Sequence, residues 1–184
     1  VTDEVVAVVA ALQEEGHLLE DMALYGASAG GGLVAGSVLK MRDQGMGMPG
    51  AVVMWAPWTD LTIVGDTWAT LLNQDPVLGN SSLDPFSNAY ADPADQKHPY
   101  VSPVYGDYTQ GFPPTLIQVG TKERILSDSL RQYQTMDTAG VDVKLDVYEG
   151  MWHDFLGSHW NIPEALMARL KMVKFLNERM ASGE

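Results

Sequence analysis

The sequence predicts an α/β fold: a doubly wound, mostly parallel sheet with helices on both faces. Three observations lead there. Residues 22–25, 51–55 and 115–119 are short, largely apolar runs, and the continuous apolar character of 51–55 is that expected of a strand buried on both faces. Segments with helical periodicity separate the strand-like runs, the alternation that builds a parallel sheet through crossover helices. Glycine closes two of the runs, at Gly26 and Gly120, where a strand must turn sharply into the next segment.

The elements are taken in chain order. Residues 2–15 place Val5, Val8, Val9 and Leu12 at i, i+3, i+4 and i+7, with Asp3 and Glu4 in the first turn and Gly16 after the end. That predicts a helix with one buried face. Residues 22–25 read as a strand, and a helix begins at Ser28 with Val34, Val38 and Leu39 as its apolar positions. The glycine- and proline-bearing segment 45–50 ends it, and 51–55 is the second strand. Residues 57–113 form a long excursion with seven of the ten prolines and the aromatics Trp58, Trp68, Tyr90, Tyr100, Tyr105 and Tyr108. Short helices are predicted there near 67–73 and 83–91. A connection this long and aromatic between two buried strands suggests a pocket wall; a packed surface loop is the plainer alternative. The third strand spans 115–119, and a helix over 127–139 turns Leu130, Tyr133 and Met136 inward before Gly140. The alternating stretch 143–148 reads as a fourth strand nearer an edge. Pro163 opens a last helix with Leu166, Leu170 and Val173 on one face.

Composition limits the function. Of 184 residues, 46% are hydrophobic and 19% charged, with a net charge of −13, so the chain builds a core but offers little to nucleic acid or an anionic membrane. No apolar run approaches the ~18 residues of a membrane span. Cysteine is absent, which removes thiol nucleophiles, thiolate metal sites and disulfides. No basic segment followed by an apolar core marks a leader, so a cytoplasmic location is expected. The chain begins at Val1 rather than Met, and its true beginning is expected to lie upstream.

Chemistry concentrates at Gly26-Ala27-Ser28-Ala29-Gly30. This is G-x-S-x-G between a predicted strand and a predicted helix, the setting that holds a serine on a sharp, strained turn. Glycines let strand and helix approach, and the helix start aims unpaired N–H groups at a reacting oxygen. The Ala29 N–H becomes one oxyanion donor. The plainer reading is a glycine-rich helix start capped by serine. A serine nucleophile needs a base, and the base an orienting acid. Of His17, His98, His153 and His159, only His153 lies in a loop just past a predicted strand, the end where open α/β sheets gather ligands; His159 falls at the approach to the last helix. Glu123 follows the third strand closely. Asp128 competes with it but belongs to a helix first turn, where acids are favoured anyway. Lys122 and Arg124 flank Glu123, so an ordinary surface ion pair is its alternative. The order Ser28, Glu123, His153 matches serine, acid, histidine in α/β-hydrolases.

Nearly the whole chain resembles the C-terminal half of a hormone-sensitive-lipase-type (bacterial family IV) esterase, within the α/β-hydrolase superfamily. The resemblance rests on Gly26 through Gly31, Ala56-Pro57-Trp58-Thr59-Asp60-Leu61, Val101-Ser102-Pro103-Val104-Tyr105, Gly120 through Asp128, and Ala139 through His153. It implies Ser28 as nucleophile, Glu123 as acid, His153 as base and Ala29 in the oxyanion hole. It further implies short- to medium-chain ester substrates and no metal or organic cofactor. Trp55, Trp58 and Trp152 are the expected pocket residues. Ala27 stands where the family usually has Asp or Thr, and the upstream His-Gly-Gly motif is absent. Residues 1–184 are accordingly expected to be a partial catalytic domain, without the N-terminal strands and cap, and poorly active alone. The expected partners are a small ester and the missing N-terminal segment, in cis or as a nicked companion, with a homodimer as one possible assembly. A receptor-like binding protein on the same scaffold, or an acyltransferase using the same residues, is the alternative.

Overall fold

The computed structural model describes residues 1–158 and 161–180. Four parallel strands, β1 (Ala23–Ala27), β2 (Ala51–Trp55), β3 (Thr115–Gly120) and β4 (Val143–Tyr148), lie side by side in chain order. Register runs continuously across the sheet: Gly26 pairs with Met54, Met54 with Ile117, and Ile117 with Leu145. The two middle strands are buried at every residue and the two outer strands are not. This is why β2 reads as an unbroken apolar run and β3 as a mostly apolar one with Thr115 and Gln118 buried in it, while β4 alternates.

Helices cover both faces. On one face lie α1 (Thr2–Glu14), α2 (Ala29–Asp43) and α5 (Leu126–Thr138), where Val9, Val38, Leu39 and Met136 pack with Val52, Met54 and Ile117. On the other, α6 (Phe155–Ser158) and α7 (Pro163–Met180) pack Phe155, Leu156, Ala165, Ala168 and Phe175 on Ala51, Val53 and Leu116. The excursion carries α3 (Thr67–Thr70), α4 (Asp84–Tyr90) and a 3₁₀ turn over Pro103–Tyr105. Its satellite core joins Trp58, Leu61 and Trp68 to Ile125. A second 3₁₀ turn, Leu19–Asp21, precedes β1. Among the described residues, no helix is long and apolar enough to cross a membrane.

Helix faces depart from the sequence reading in three places. Of the face expected in α1, Val9 is buried and Val5 and Leu12 are half-buried, but Val8 is exposed and Thr2 is buried in addition. Leu130 of α5 points outward; Ser127, Asp128, Ser129, Gln132 and Met136 face inward. Leu166, Leu170 and Val173 of α7 do share a face, but it is open to solvent, while Ala165, Ala168 and Phe175 meet the sheet. Small side chains at Ala165 and Ala168 let α7 approach the sheet, so apolar periodicity alone does not select its inner face.

Candidate active site

Ser28 sits between β1 and α2 with φ 55° and ψ −123°, a conformation that L-residues rarely hold. The turn is pinned from several sides. Ser28 N donates to Trp55 O at 2.8 Å, and Ser28 O accepts from Gly31 N at 3.0 Å and Trp58 N at 2.9 Å. Gly26 is obligatory, because a Cβ there would lie 2.2 Å from Gly30 O. Gly30, the other motif glycine, has no such need: its Cβ would meet nothing within 4 Å among the described residues. The close approaches belong instead to Gly31 against Pro57 and Gly32 against Trp58 O.

The loops after β3 and β4 bring the other side chains to Ser28. They are tied together by Lys122 N donating to Met151 O and Gly150 N donating to Thr121 Oγ1, both at 2.8 Å. His153 Nε2 lies 2.9 Å from Ser28 Oγ. His153 Nδ1 makes a long contact of 3.4 Å to Glu123 Oε2. Glu123 Oε1 accepts from Gly120 N at 2.7 Å. His153 and Glu123 are both buried. Burial pushes the Glu123 carboxyl up to about 7, against the opposing pull of His153 and the Gly120 N–H. A serine, an imidazole and a carboxylate in this order can pass a proton from hydroxyl to imidazole and stabilise the imidazolium.

The residues flanking Glu123 are not a surface ion pair with it. Arg124 is buried, and its guanidinium donates to the carbonyls of Trp68, Gly79 and Ser81. Its backbone N–H donates to Asp75 Oδ2 at 3.0 Å. Arg124 thus fastens the excursion around the loop that holds Glu123. Asp128 is also buried. Rather than capping its own helix, it accepts from Thr59 N at 3.0 Å and Asp60 N at 2.9 Å, the loop leaving β2. Burial drives its carboxyl to about 7 as well. Asp75 also accepts from the nearby Val77 N and Leu78 N, but the contacts that join it to Arg124, Arg124 to the excursion carbonyls and Asp128 to the loop after β2 span 43 to 69 residues, beyond any local signal.

An apolar cleft of about 150 Å³ opens beside Ala29 and is lined by Leu33, Trp58, Leu61, Phe86, Tyr90 and Val101. The excursion supplies most of that wall. Trp55 and Trp152 lie elsewhere: Trp55 stacks edge-on with Tyr25, and Trp152 packs near α7. Trp55 ends β2 and Trp152 follows β4, the end of the sheet where Trp58 also lies, which is why sequence alone groups them together. His159 lies outside the described residues. No group of three or more His, Asp or Glu side chains among the described residues is gathered to hold a metal.

Comparison with known proteins adds the lineage. Residues 1–157 match a family described as the alpha/beta hydrolase fold. The chain is 34% identical over 182 residues to an acetyl-hydrolase of Streptomyces hygroscopicus, covering 99% of this chain and 60% of that protein. It is 32% identical over 174 residues to an esterase of Acinetobacter venetianus, covering 94% and 57%. Among solved structures it superposes on EstE5 soaked with p-nitrophenyl butyrate at a TM-score of 0.92, with 32% identity, covering 98% of this chain and 60% of that one. An esterase of the bacterial hormone-sensitive lipase family gives a TM-score of 0.92 at 31% identity, covering 97% and 60%. The chain spans about 60% of the length of these relatives.

Proposed function

We propose that this chain, which belongs to the α/β-hydrolase fold family and has hormone-sensitive-lipase-type esterases as its structural neighbours, carries the catalytic centre of a carboxylic ester hydrolase. The observation that carries the reading is the contact of 2.9 Å between Ser28 Oγ and His153 Nε2, made from a strained serine with Glu123 behind the imidazole. His153 Nε2 takes the Ser28 hydroxyl proton as Oγ attacks the ester carbonyl. Glu123, ionised, accepts from Nδ1–H and stabilises the imidazolium. The Ala29 N–H donates to the tetrahedral oxyanion. His153 then protonates the departing alcohol, and water repeats the attack on the acyl-enzyme with the same base.

Substrate choice follows from the cleft. Its apolar lining and small volume favour a short to medium acyl chain, with Trp58 as one wall. The outer edge of β1 has no strand partner among the described residues, and Tyr25 beside it is exposed. An unpaired edge of this kind is suited to a further strand. In this proposal it receives an N-terminal segment of the same protein, in cis or nicked, which supplies the remaining oxyanion donors.

The test is Ser28→Ala in the full-length protein. Turnover of p-nitrophenyl butyrate should fall by roughly 10³-fold or more, and fluorophosphonate labelling should vanish. A variant that keeps both overturns the assignment. A wild-type protein that binds esters without hydrolysing them favours the receptor-like alternative.

A further inference from the structure

We infer that Asp128 is a positioning residue for the oxyanion donor: its carboxylate braces the loop after β2, and that loop sets the orientation of the Ser28–Ala29 peptide. The inference rests on the proposed serine-hydrolase reading and adds a residue to it.

The chain of contacts begins at α5. Asp128 Oδ2 accepts from both Thr59 N and Asp60 N, and Thr59 Oγ1 donates to Asp128 O at 3.3 Å. Residues 56–61 are buried throughout, so none of these N–H groups can turn to water. One residue back, Trp58 N donates to Ser28 O at 2.9 Å. A trans peptide is planar, with its C=O and N–H pointing in opposite directions. Whatever fixes the Ser28 carbonyl therefore fixes the Ala29 N–H, which points to the far side where an oxyanion forms. The loop also presses on the first turn of α2, since a Cβ at Gly32 would lie 2.1 Å from Trp58 O.

Its other carboxylate oxygen, Oδ1, is buried without a hydrogen-bond partner. An acid required only for helix capping would not be placed so. Removing the side chain leaves two buried donors without acceptors, freeing Thr59 and Asp60 to move and Trp58 with them. Oxyanion donors act only when preorganised, and displacements of about 1 Å at a reacting centre cost ~10²-fold in rate.

The experiment compares Asp128→Ala and Asp128→Asn in the full-length protein, with active sites counted by fluorophosphonate so that misfolded molecules do not enter kcat. Asp128→Ala should lower kcat per titrated site by about tenfold or more with KM within about threefold, because the lost interaction is made in the transition state. Binding of phenylboronic acid, which forms a tetrahedral serine adduct, should weaken by the same factor. Asp128→Asn keeps an acceptor oxygen and should recover most of both losses. An Asp128→Ala enzyme with wild-type kcat per site, or one with reduced kcat and unchanged boronate affinity, overturns the inference. If Asp128→Ala does not fold, Asp128→Asn decides: near-wild-type kcat and boronate affinity support the acceptor role, and a loss of tenfold or more overturns it. Ser28→Ala runs alongside; persistence of its turnover defeats the hydrolase reading itself, whereas its loss with an unaffected Asp128→Ala defeats only the positioning role.

Discussion

Gly26→Ala tests how tightly the turn at Ser28 is built. A Cβ on residue 26 would stand 2.2 Å from Gly30 O, 2.4 Å from Gly30 C and 2.8 Å from Gly31 N. All three are backbone atoms of the first turn of α2, so no side chain can swing aside. Ordinary van der Waals contact begins near 3.4 Å, so strand and helix must separate by about 1 Å. Overpacking of this kind costs roughly 1–3 kcal/mol of stability, and misplacing a nucleophile by about 1 Å costs ~10²-fold in rate. The control is Gly50→Ala, whose Cβ would stand 2.1 Å from Glu20 O, just before β2 and at the opposite end of that strand from Trp55. It imposes a similar clash away from Ser28. Urea unfolding should report a loss of stability in both variants. Hydrolysis of p-nitrophenyl butyrate per titrated site should fall only in Gly26→Ala. Equal kcat losses in the two would show that destabilisation, not displacement of the nucleophile, governs the rate. Wild-type kcat in Gly26→Ala would refute the steric argument outright.

Three further outcomes are expected. Glu123→Gln should lower kcat by roughly 10²–10⁴-fold while the fold persists, because an amide cannot stabilise the imidazolium of His153; circular dichroism beside steady-state kinetics checks it. With the Glu123 carboxyl pushed up to about 7, kcat/KM should decline as pH falls below neutrality, and a profile flat from pH 5 to 8 would contradict this. Asp128 is raised from its ordinary 3.8 to about 7, so between those values the folded chain binds more protons here than the unfolded one. Its contribution to stability therefore declines as pH rises through that window. The difference between wild type and Asp128→Asn in urea midpoints, measured from pH 5 to 7.5, should shift in favour of the variant with rising pH, and a shift the other way would refute it.

The middle strands were legible because burial on both faces writes a largely apolar run, continuous in β2 and interrupted in β3 by Thr115 and Gln118. Gly26-Ala27-Ser28-Ala29-Gly30 was legible because strained turns demand particular residues in sequence order, although the structure needs Gly26 and not Gly30 for space. Helix faces were less legible. In α7 the apolar positions Leu166, Leu170 and Val173 repeat at helical spacing as well as Ala165, Ala168 and Phe175 do, and only packing against the sheet separates the two sets. In α5 the inner face is polar because its partners are polar: Ser127 Oγ meets Thr67 Oγ1 at 2.8 Å, and Gln132 Nε2 donates to Tyr108 OH at 2.7 Å. Periodicity of apolar residues cannot register a face satisfied by hydrogen bonds.

The same physics explains why acids were the hardest residues to place. Sequence position separated Glu123 in a loop from Asp128 in a helix turn, and both turned out to be buried. What distinguishes them is the group each faces. Glu123 meets an imidazole, which in the proposed mechanism changes charge, so there its ionisation serves the proton transfer. Asp128 meets two backbone amides that never change charge, so its value lies in holding a loop still. Arg124 and Asp75 repeat the second pattern around the acid loop, with carbonyls and amides as partners. The excursion between β2 and β3 is therefore more than a wall of the cleft. Through Asp75, Arg124 and Asp128 it is fastened to the segment from Glu123 into α5, and through Trp58 to Ser28. Ser28 and Glu123, 95 positions apart, are held in register by the one long connection that lies between them.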